Sequence, residues 1–394
     1  MALILQWLDC MIDQENFTPP YCPNKDCQFH HHSTGNLNKK FWIKRGYENR
    51  KLSERVRSFQ CKACKRRFCS NCFSINYRLH YRGKMNARIF RGVVHSRSNR
   101  SIARELNVSE CLVRTRISRL ARFGFVQHFH YLDKLKISEP IAFDGVECFA
   151  RSQYEPNNIN HAVGVDSLFC YTFGFAPMNR KGRMSDRQKN YLKKLEVKEG
   201  RFNPKAIRIS SAEIFKDLIE RTDHSSDKLV LHTDEHFQYK RAIKRDLSKS
   251  DQEKLTHKTV SSKATRNYKN ILFAVNHLDL LLRQKVAAFS RETISFSKKH
   301  SCMLEKYILL ICYKNYMRVK FVKRHKNNPS ANSQSPAMSL GLCTKVLNFY
   351  EFFAEPNQNR AISHLEDKLP KEWKLLLDDK VIFEREHKYS KKSA

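Results

Sequence analysis

The sequence predicts a multidomain α/β chain: a small metal-stapled ribbon, a helical pair, and a larger mixed α/β domain. Three observations predict it. Two cysteine pairs, Cys22 with Cys27 and Cys61 with Cys64, flank a stretch rich in aromatic and turn residues. Two amphipathic helical segments then meet at the polar turn Asn107-Val108-Ser109. Beyond Pro140, apolar runs of strand length alternate with helical patterns, and two of those runs carry an aspartate. The expected bounds are 1–75 for an N-terminal helix and the ribbon and 76–135 for the helical pair. The α/β domain is expected over 138–325, and a C-terminal arm and helical appendage over 326–394.

Composition narrows the possible functions. The chain has 394 residues, 41% of them hydrophobic, enough to build several cores and to exclude global disorder. Lys and Arg number 74 against 39 Asp and Glu, a formal net charge of +35. So large an excess repels itself unless an anionic partner neutralises it. The charge runs along the whole chain between apolar segments, so nucleic acid is the expected partner. No run approaches the ~20 apolar residues of a membrane helix, and no membrane partner is expected. The opening MALILQWLDCMIDQENF lacks the basic flank of a signal peptide. Its Leu3, Ile4, Trp7 and Leu8 suit an amphipathic helix instead. Thirteen cysteines without an export signal read as thiols and metal ligands in the reducing cytoplasm.

Each cysteine pair lies in a short loop, CPNKDC and CKAC, that aims two sulfurs at one point. Two such knuckles make the tetrahedral thiolate cage that Zn²⁺ favours. Lys25, Lys62, Lys65, Arg66 and Arg67 lie beside them and favour thiolate over thiol. The zinc is expected to hold together a fold too small to stabilise itself, with no open position for catalysis. Cys69 and Cys72 form a further C-x-x-C that could replace a ligand, and is read as a buried thiol pair. His30, His31 and His32 are read as surface residues.

The segment SIARELNVSECLVRTRISRL has the helix-turn-helix pattern. Residues 101–106 form a short amphipathic helix, Ser109 is a natural N-cap, and Leu112, Val113, Ile117 and Leu120 recur at helical spacing. Arg114, Thr115, Arg116 and Arg119 are placed on exposed positions, where a recognition helix would meet the major groove.

In the α/β domain, IAFDGVECF and KLVLHTD each bring a carboxylate into an apolar strand. A charge there is costly unless a cation compensates it, so Asp144 and Asp234 are candidate ligands of a shared divalent site. Two hard cations ~4 Å apart can activate water and stabilise a leaving oxygen of a phosphodiester. A third ligand should come from a helix packed on the sheet. In the helix over 270–283, with its buried stripe running on to Val286, Leu272, Val275, Leu278, Leu282 and Val286 form the stripe and Asn276, Asp279 and Arg283 share another face. Glu292 follows in FSRETISFSKK.

Taken in order, CPNKDC … CKACKRRF, SIARELNVSECLVRTRI, IAFDGVECF, LHTDEHFQY and VNHLDLLLRQKVAAFSRETISFSKK resemble one family. It is the DDE-type transposases of simple bacterial insertion sequences, in the group with an N-terminal zinc ribbon and helix-turn-helix. The resemblance covers roughly residues 20–320, weakest at 178–208 and 240–268. It implies a ribonuclease-H-like catalytic domain, dependence on Mg²⁺ (or Mn²⁺), and cutting and joining of DNA at element ends. The implied partners are double-stranded terminal inverted repeats, target DNA and further copies of the chain, at the bacterial nucleoid. Carried over, Asp144 and Asp234 are the first two metal ligands. At the third position the family's Glu falls on Asn276, which can coordinate but brings no charge; Glu292 ranks second and Asp279 third. A non-enzymatic DNA-binding regulator and a nuclease that cuts without joining are the alternatives.

Basic residues crowd the same region: Lys240, Arg241, Lys244 and Arg245 after Asp234, and Lys258, Lys263, Arg266 and Lys269 before the helix. Arg291, Lys298 and Lys299 lie beyond it. His232 is expected on the same side of its strand as Asp234, as an ordinary hydrogen-bonded histidine.

Overall fold

A computed structural model describes residues 15–31, 40–50, 53–75, 79, 84–133, 135–223, 228–261, 263–290, 295–320, 333–353 and 369–378. The expected N-terminal helix with Leu3, Ile4, Trp7 and Leu8 lies outside the described residues, as do His32, Arg291 and Glu292 and the side chain of His31. The described residues fall into two compact units. One draws on 1–92, 99–130 and 347–369, the other on 93–98, 131–346 and 370–394.

In the first unit, helix α1 (Gln28–His31) precedes strands β1 (Trp42–Arg50), β2 (Ser53–Cys61) and β3 (Arg67–Cys69), which form an antiparallel sheet in that order. The register sets Trp42 opposite Cys61 and Phe59 opposite Phe68. Period-two alternation therefore gathers rings and sulfurs on one face. Phe59 stacks on Phe68 at 5.7 Å and meets Trp42 edge-on at 5.2 Å. Gly46, at φ +77°, occupies the irregularity between Lys44 and Tyr47, where a side chain would strain the backbone.

Helices α2 (Lys84–Val93), α3 (Asn99–Leu106) and α4 (Glu110–Asp133) follow. The turn between α3 and α4 forms as expected. Asn107 adopts φ +53°, and the Ser109 hydroxyl accepts the Leu112 amide at 3.2 Å, capping α4. Val113, Ile117 and Leu120 are buried and Leu112 is half-buried. Residues 347–353 of the expected C-terminal appendage belong to this unit, where helix α12 (Phe349–Phe353) rests Phe349 and Phe353 on Phe90.

The second unit is built on a five-stranded mixed sheet. Its strands are β4 (Ile141–Phe149), β5 (Pro156–Gly164), β6 (Cys170–Pro177), β7 (Leu229–Thr233) and β8 (Leu255–Thr259), in the order β6-β5-β4-β7-β8. Strands β4, β5 and β6 pair antiparallel; β7 runs parallel to β4, and β8 to β7. Helices α5 (Asp186–Glu199) and α6 (Ala206–Arg221) supply the crossover from β6 to β7. Helices α7 (Phe237–Asp246) and α8 (Lys249–Glu253) connect β7 to β8.

Helix α6 covers one sheet face: Phe215 meets Phe143 at 4.8 Å. It approaches so closely that a Cβ on Gly174 would lie 2.4 Å from the Ser210 hydroxyl. Helices α9 (Phe273–Lys285) and α10 (His300–Tyr316) cover the other face, with Tyr307 near His161 and Met303 against Cys148. The stripe read from the sequence is the buried one: Leu272, Val275, Leu278, Leu282 and Val286 are all buried. Short helices α11 (Pro336–Ser339) and α13 (Glu372–Leu377) complete this unit. Among the described residues, no helix is long and apolar enough to cross a membrane.

Candidate metal centre and acidic site

In the ribbon, the Sγ atoms of Cys22, Cys27, Cys61 and Cys64 all lie within 4.8 Å of one another. Cys22 to Cys64 is 3.6 Å and Cys27 to Cys61 is 3.8 Å. Four sulfurs ~2.3 Å from a central Zn²⁺ at tetrahedral angles stand roughly 3.8 Å apart, so the spacing fits a metal. Backbone turns set it: the Cys27 amide donates to the Asn24 carbonyl, the Cys61 amide to the Arg66 carbonyl, and Lys65 takes φ +59°. Burial pushes the thiols of Cys22 and Cys61 up. Burial acts on Cys64 in the same sense, but the Arg66 amide and the adjacent cysteines outweigh it and bring it to about 7. A bound cation would relieve this crowding of sulfurs.

Cys69 and Cys72 are buried beside the aromatic core, as expected. His30 corrects the expectation of a surface residue. It is buried, and its Nδ1–H donates to the Cys22 carbonyl at 2.7 Å, bracing the first knuckle from behind. The short helix after Cys27 turns its ring inward against Tyr21.

The acidic site lies at the middle of the second unit's sheet. The last parallel rung between β4 and β7 pairs Phe143 with Thr233. Asp144 and Asp234 are the next residue on each chain, so register brings them to neighbouring positions on adjacent strands. The Asp144 Oδ1 accepts the Gly145 amide at 2.7 Å and the Tyr239 hydroxyl at 3.3 Å. The Asp234 Oδ1 accepts the His236 amide at 2.9 Å, which holds it at the start of the loop into α7.

Across the other edge of β4, His161 is the register partner of Asp144. Asp279, on the face of α9 that turns toward β4 and β5, places Oδ1 3.3 Å from His161 Nε2. The pair is close without the alignment of a hydrogen bond: among the described residues, both of those atoms and His161 Nδ1 are buried without such a partner. Burial, then Asp234, and more weakly Asp279 push Asp144 up to about 6, against the opposing effects of the Gly145 amide and His161. The fold therefore concentrates negative charge that a cation would offset.

The three carboxylates do not form a closed cage: among the described residues, the cysteine group is the one whose ligand atoms converge. Asn276 is half-buried on α9, one turn before Asp279, and its side chain makes no hydrogen bond among the described residues. His232 is half-buried, and burial lowers its proton affinity.

The expected DNA-contacting side chains divide. Arg114 and Thr115 are exposed on α4. Arg116 is not: it is 4% exposed, donates to Asn86 Oδ1 at 3.3 Å, and is brought down to about 10 by burial and then by Arg119. Arg119 is half-buried and donates to the Ile75 carbonyl at 2.9 Å. The reason is periodicity. Arg116 is three residues after Val113 and four before Leu120, so it lies in the buried stripe rather than opposite it.

Sequence reading missed a basic surface on the ribbon. The guanidiniums of Arg55 and Arg57 sit 4.2 and 4.3 Å from the Tyr47 ring, and Arg45 donates twice to Gln60. Alternate positions on β2 bring Arg55 and Arg57 to one face, a signal readable only once the strand is known. It also missed His161 and Tyr239, whose link to Asp144 runs through register and tertiary contact rather than spacing. Comparison of the chain with protein-family models and with curated proteins returns no match.

Proposed function

We propose that the chain is a DNA transposase of the DDE type, cutting and joining DNA strands with divalent metal. One observation carries this reading: Asp144 and Asp234 follow the same rung of adjacent parallel strands, with Asp279 and His161 beside them. A ribonuclease-H-like domain asks for two aspartates on neighbouring strands of a mixed sheet, and the order β6-β5-β4-β7-β8 with β4 at its centre supports it. In this reading Asp144 and Asp234 hold Mg²⁺ or Mn²⁺, which when bound supplies an activated water and charge stabilisation at the phosphodiester.

The chain's own residues do the rest. The Tyr239 hydroxyl orients Asp144, and Asp279, set beside the Asp144 register partner His161, completes the acidic shell ahead of Asn276. Exposed Lys240, Arg241, Lys244 and Arg245 on α7, with Lys258, Lys263, Arg266 and Lys269, line a path for the phosphate backbone. In the first unit, Zn²⁺ at the four cysteines braces the ribbon. Arg114 and Thr115 on α4, with Arg55 and Arg57 on β2, face the terminal repeats. Joining two element ends asks for more than one copy of the chain.

The test is cleavage and strand transfer on labelled element-end DNA with Mg²⁺ or Mn²⁺, comparing wild type with Asp144→Asn and Asp234→Asn while binding is followed separately. The reading expects nicked and joined products from wild type and neither from the variants, with binding retained. Binding without cutting identifies a regulator; nicks without joined products identify a nuclease.

A further inference from the structure

We propose that a cavity in the second unit, distinct from the carboxylates, is a pocket for one unstacked nucleobase of the DNA strand; this rests on the DNA-processing reading above. The cavity measures about 200 Å³, and its lining includes Glu147, Cys148, Phe149, Arg283, Phe289 and Phe296. Two periodicities fix its position. On β4, Cys148 is four residues beyond Asp144, on the same face and ~13 Å along the strand. On α9, Arg283 is four residues beyond Asp279, one turn along the same face. The pocket thus continues the β4–α9 groove that begins at the acidic site, within reach of a strand whose phosphate rests there.

The walls suit a flat heteroaromatic ring. Phe149 and Phe296 stand 5.0 Å apart, and the Lys298 ammonium lies 3.5 Å from the centre of the Phe296 ring. Aromatic faces stack any base, and the ammonium held over Phe296 offers a cation to the phosphate that follows it. Arg283 brings donors and Glu147 acceptors, the mixed pair that a base edge can satisfy and an aliphatic ligand cannot. The volume is below the ~300–1,000 Å³ of sites that enclose a drug-sized ligand, which fits a single ring system better than a whole nucleotide. Cys148 forms a wall rather than a nucleophile: its thiol is tied to Asn157 Oδ1 at 2.8 Å and to Met303 Sδ at 3.3 Å.

The experiment measures equilibrium binding of the full-length chain, without Mg²⁺, to a short single-stranded deoxyoligonucleotide. The comparison ligand has the same phosphates and one abasic position. Subtracting the two removes the backbone contribution and isolates the base. Wild type is expected to prefer the base-bearing strand by about tenfold, in the range of one stacked base. Phe296→Leu keeps the apolar volume and loses the ring, and Arg283→Gln loses the charge; each should erase most of that preference. An equal preference in Phe296→Leu and Arg283→Gln, or none in wild type, overturns the pocket. Failure of the transposase reading shows separately, as wild-type DNA that is never cut.

Discussion

Asp279 reaches within 3.3 Å of the imidazole of His161, and His161 is the residue paired with Asp144 across β4 and β5. A helix and two strands thereby meet at one carboxylate. The contact makes Asp279 part of the charge environment of Asp144, and its buried Oδ1 has no hydrogen-bond donor among the described residues. Removing that charge should reach the chemistry. Asp279→Asn is expected to lower Mg²⁺-dependent strand cleavage by about 10- to 100-fold, the cost typical of losing a group that supports a metal site. Asn276→Ala should cost less than about tenfold. Single-turnover cleavage of end DNA measures both, and the opposite ranking would return the third position to Asn276.

Asp144 carries a pH dependence whose sign follows from its raised proton affinity. Its folded value is about 6 against an ordinary 3.8, so the folded chain binds the extra proton between those values. Its contribution to stability is fully present below about pH 4, is lost as pH rises through about 6, and stays lost above. The gap corresponds to about 3 kcal/mol at most. Asp144→Asn should therefore raise the melting temperature of the second unit by several degrees at pH 7 and hardly at all at pH 4, while abolishing cleavage. Mn²⁺ should raise the wild-type melting temperature more at pH 7 than at pH 5. Calorimetry at the three pH values decides it; a variant less stable than wild type at pH 7 would contradict the burial of an uncompensated charge.

What was legible in the sequence was what short spacing encodes. The four cysteines declare themselves by their knuckles, the α9 stripe by its recurrence, and Asp144 and Asp234 by interrupting apolar runs. What was illegible depends on the partner strand. Nothing in INHAVGV says that His161 stands opposite Asp144, because antiparallel register is set by the turn between β4 and β5 and by both strands' burial. His30 was misread because a run of three histidines suggests a solvated tract, whereas one helical turn after Cys27 aims the first of them inward. Arg116 was misread although its spacing from Val113 was available: positive charge was given more weight than position.

The split among the α4 arginines separates binding from folding. Exposed Arg114 should act on DNA affinity alone, and Arg114→Ala should weaken duplex binding while reducing the salt slope by roughly one. Arg116→Ala should instead lower the stability of the first unit by about 1–3 kcal/mol, because it removes the buried hydrogen bond to Asn86 and opens a space in the buried stripe. Titrations across a salt series, run beside thermal melts of the same proteins, distinguish them. A large salt-slope change in Arg116→Ala without loss of stability would restore that residue to the DNA surface.

The ribbon should depend on its metal more than on any other contact. Its core is a single layer of rings and sulfurs around Phe59, and so small a sheet has little apolar area to set against chain entropy. Zinc held by four thiolates contributes apparent binding of about 10–16 kcal/mol, which in such modules is folding free energy. Purified chain should carry one equivalent of zinc, and a strong chelator should release it together with the near-ultraviolet signal of Trp42 and Tyr21. Cys61→Ser should lose the metal. Cys69→Ser should keep it, since that thiol shares the ribbon's core but is not one of the four whose sulfurs converge. His30→Ala should retain zinc but release it faster to chelator, because the Cys22 carbonyl loses its brace. If Cys69→Ser emptied the site as fully as Cys61→Ser, the ligand set would have to be redrawn around the second C-x-x-C.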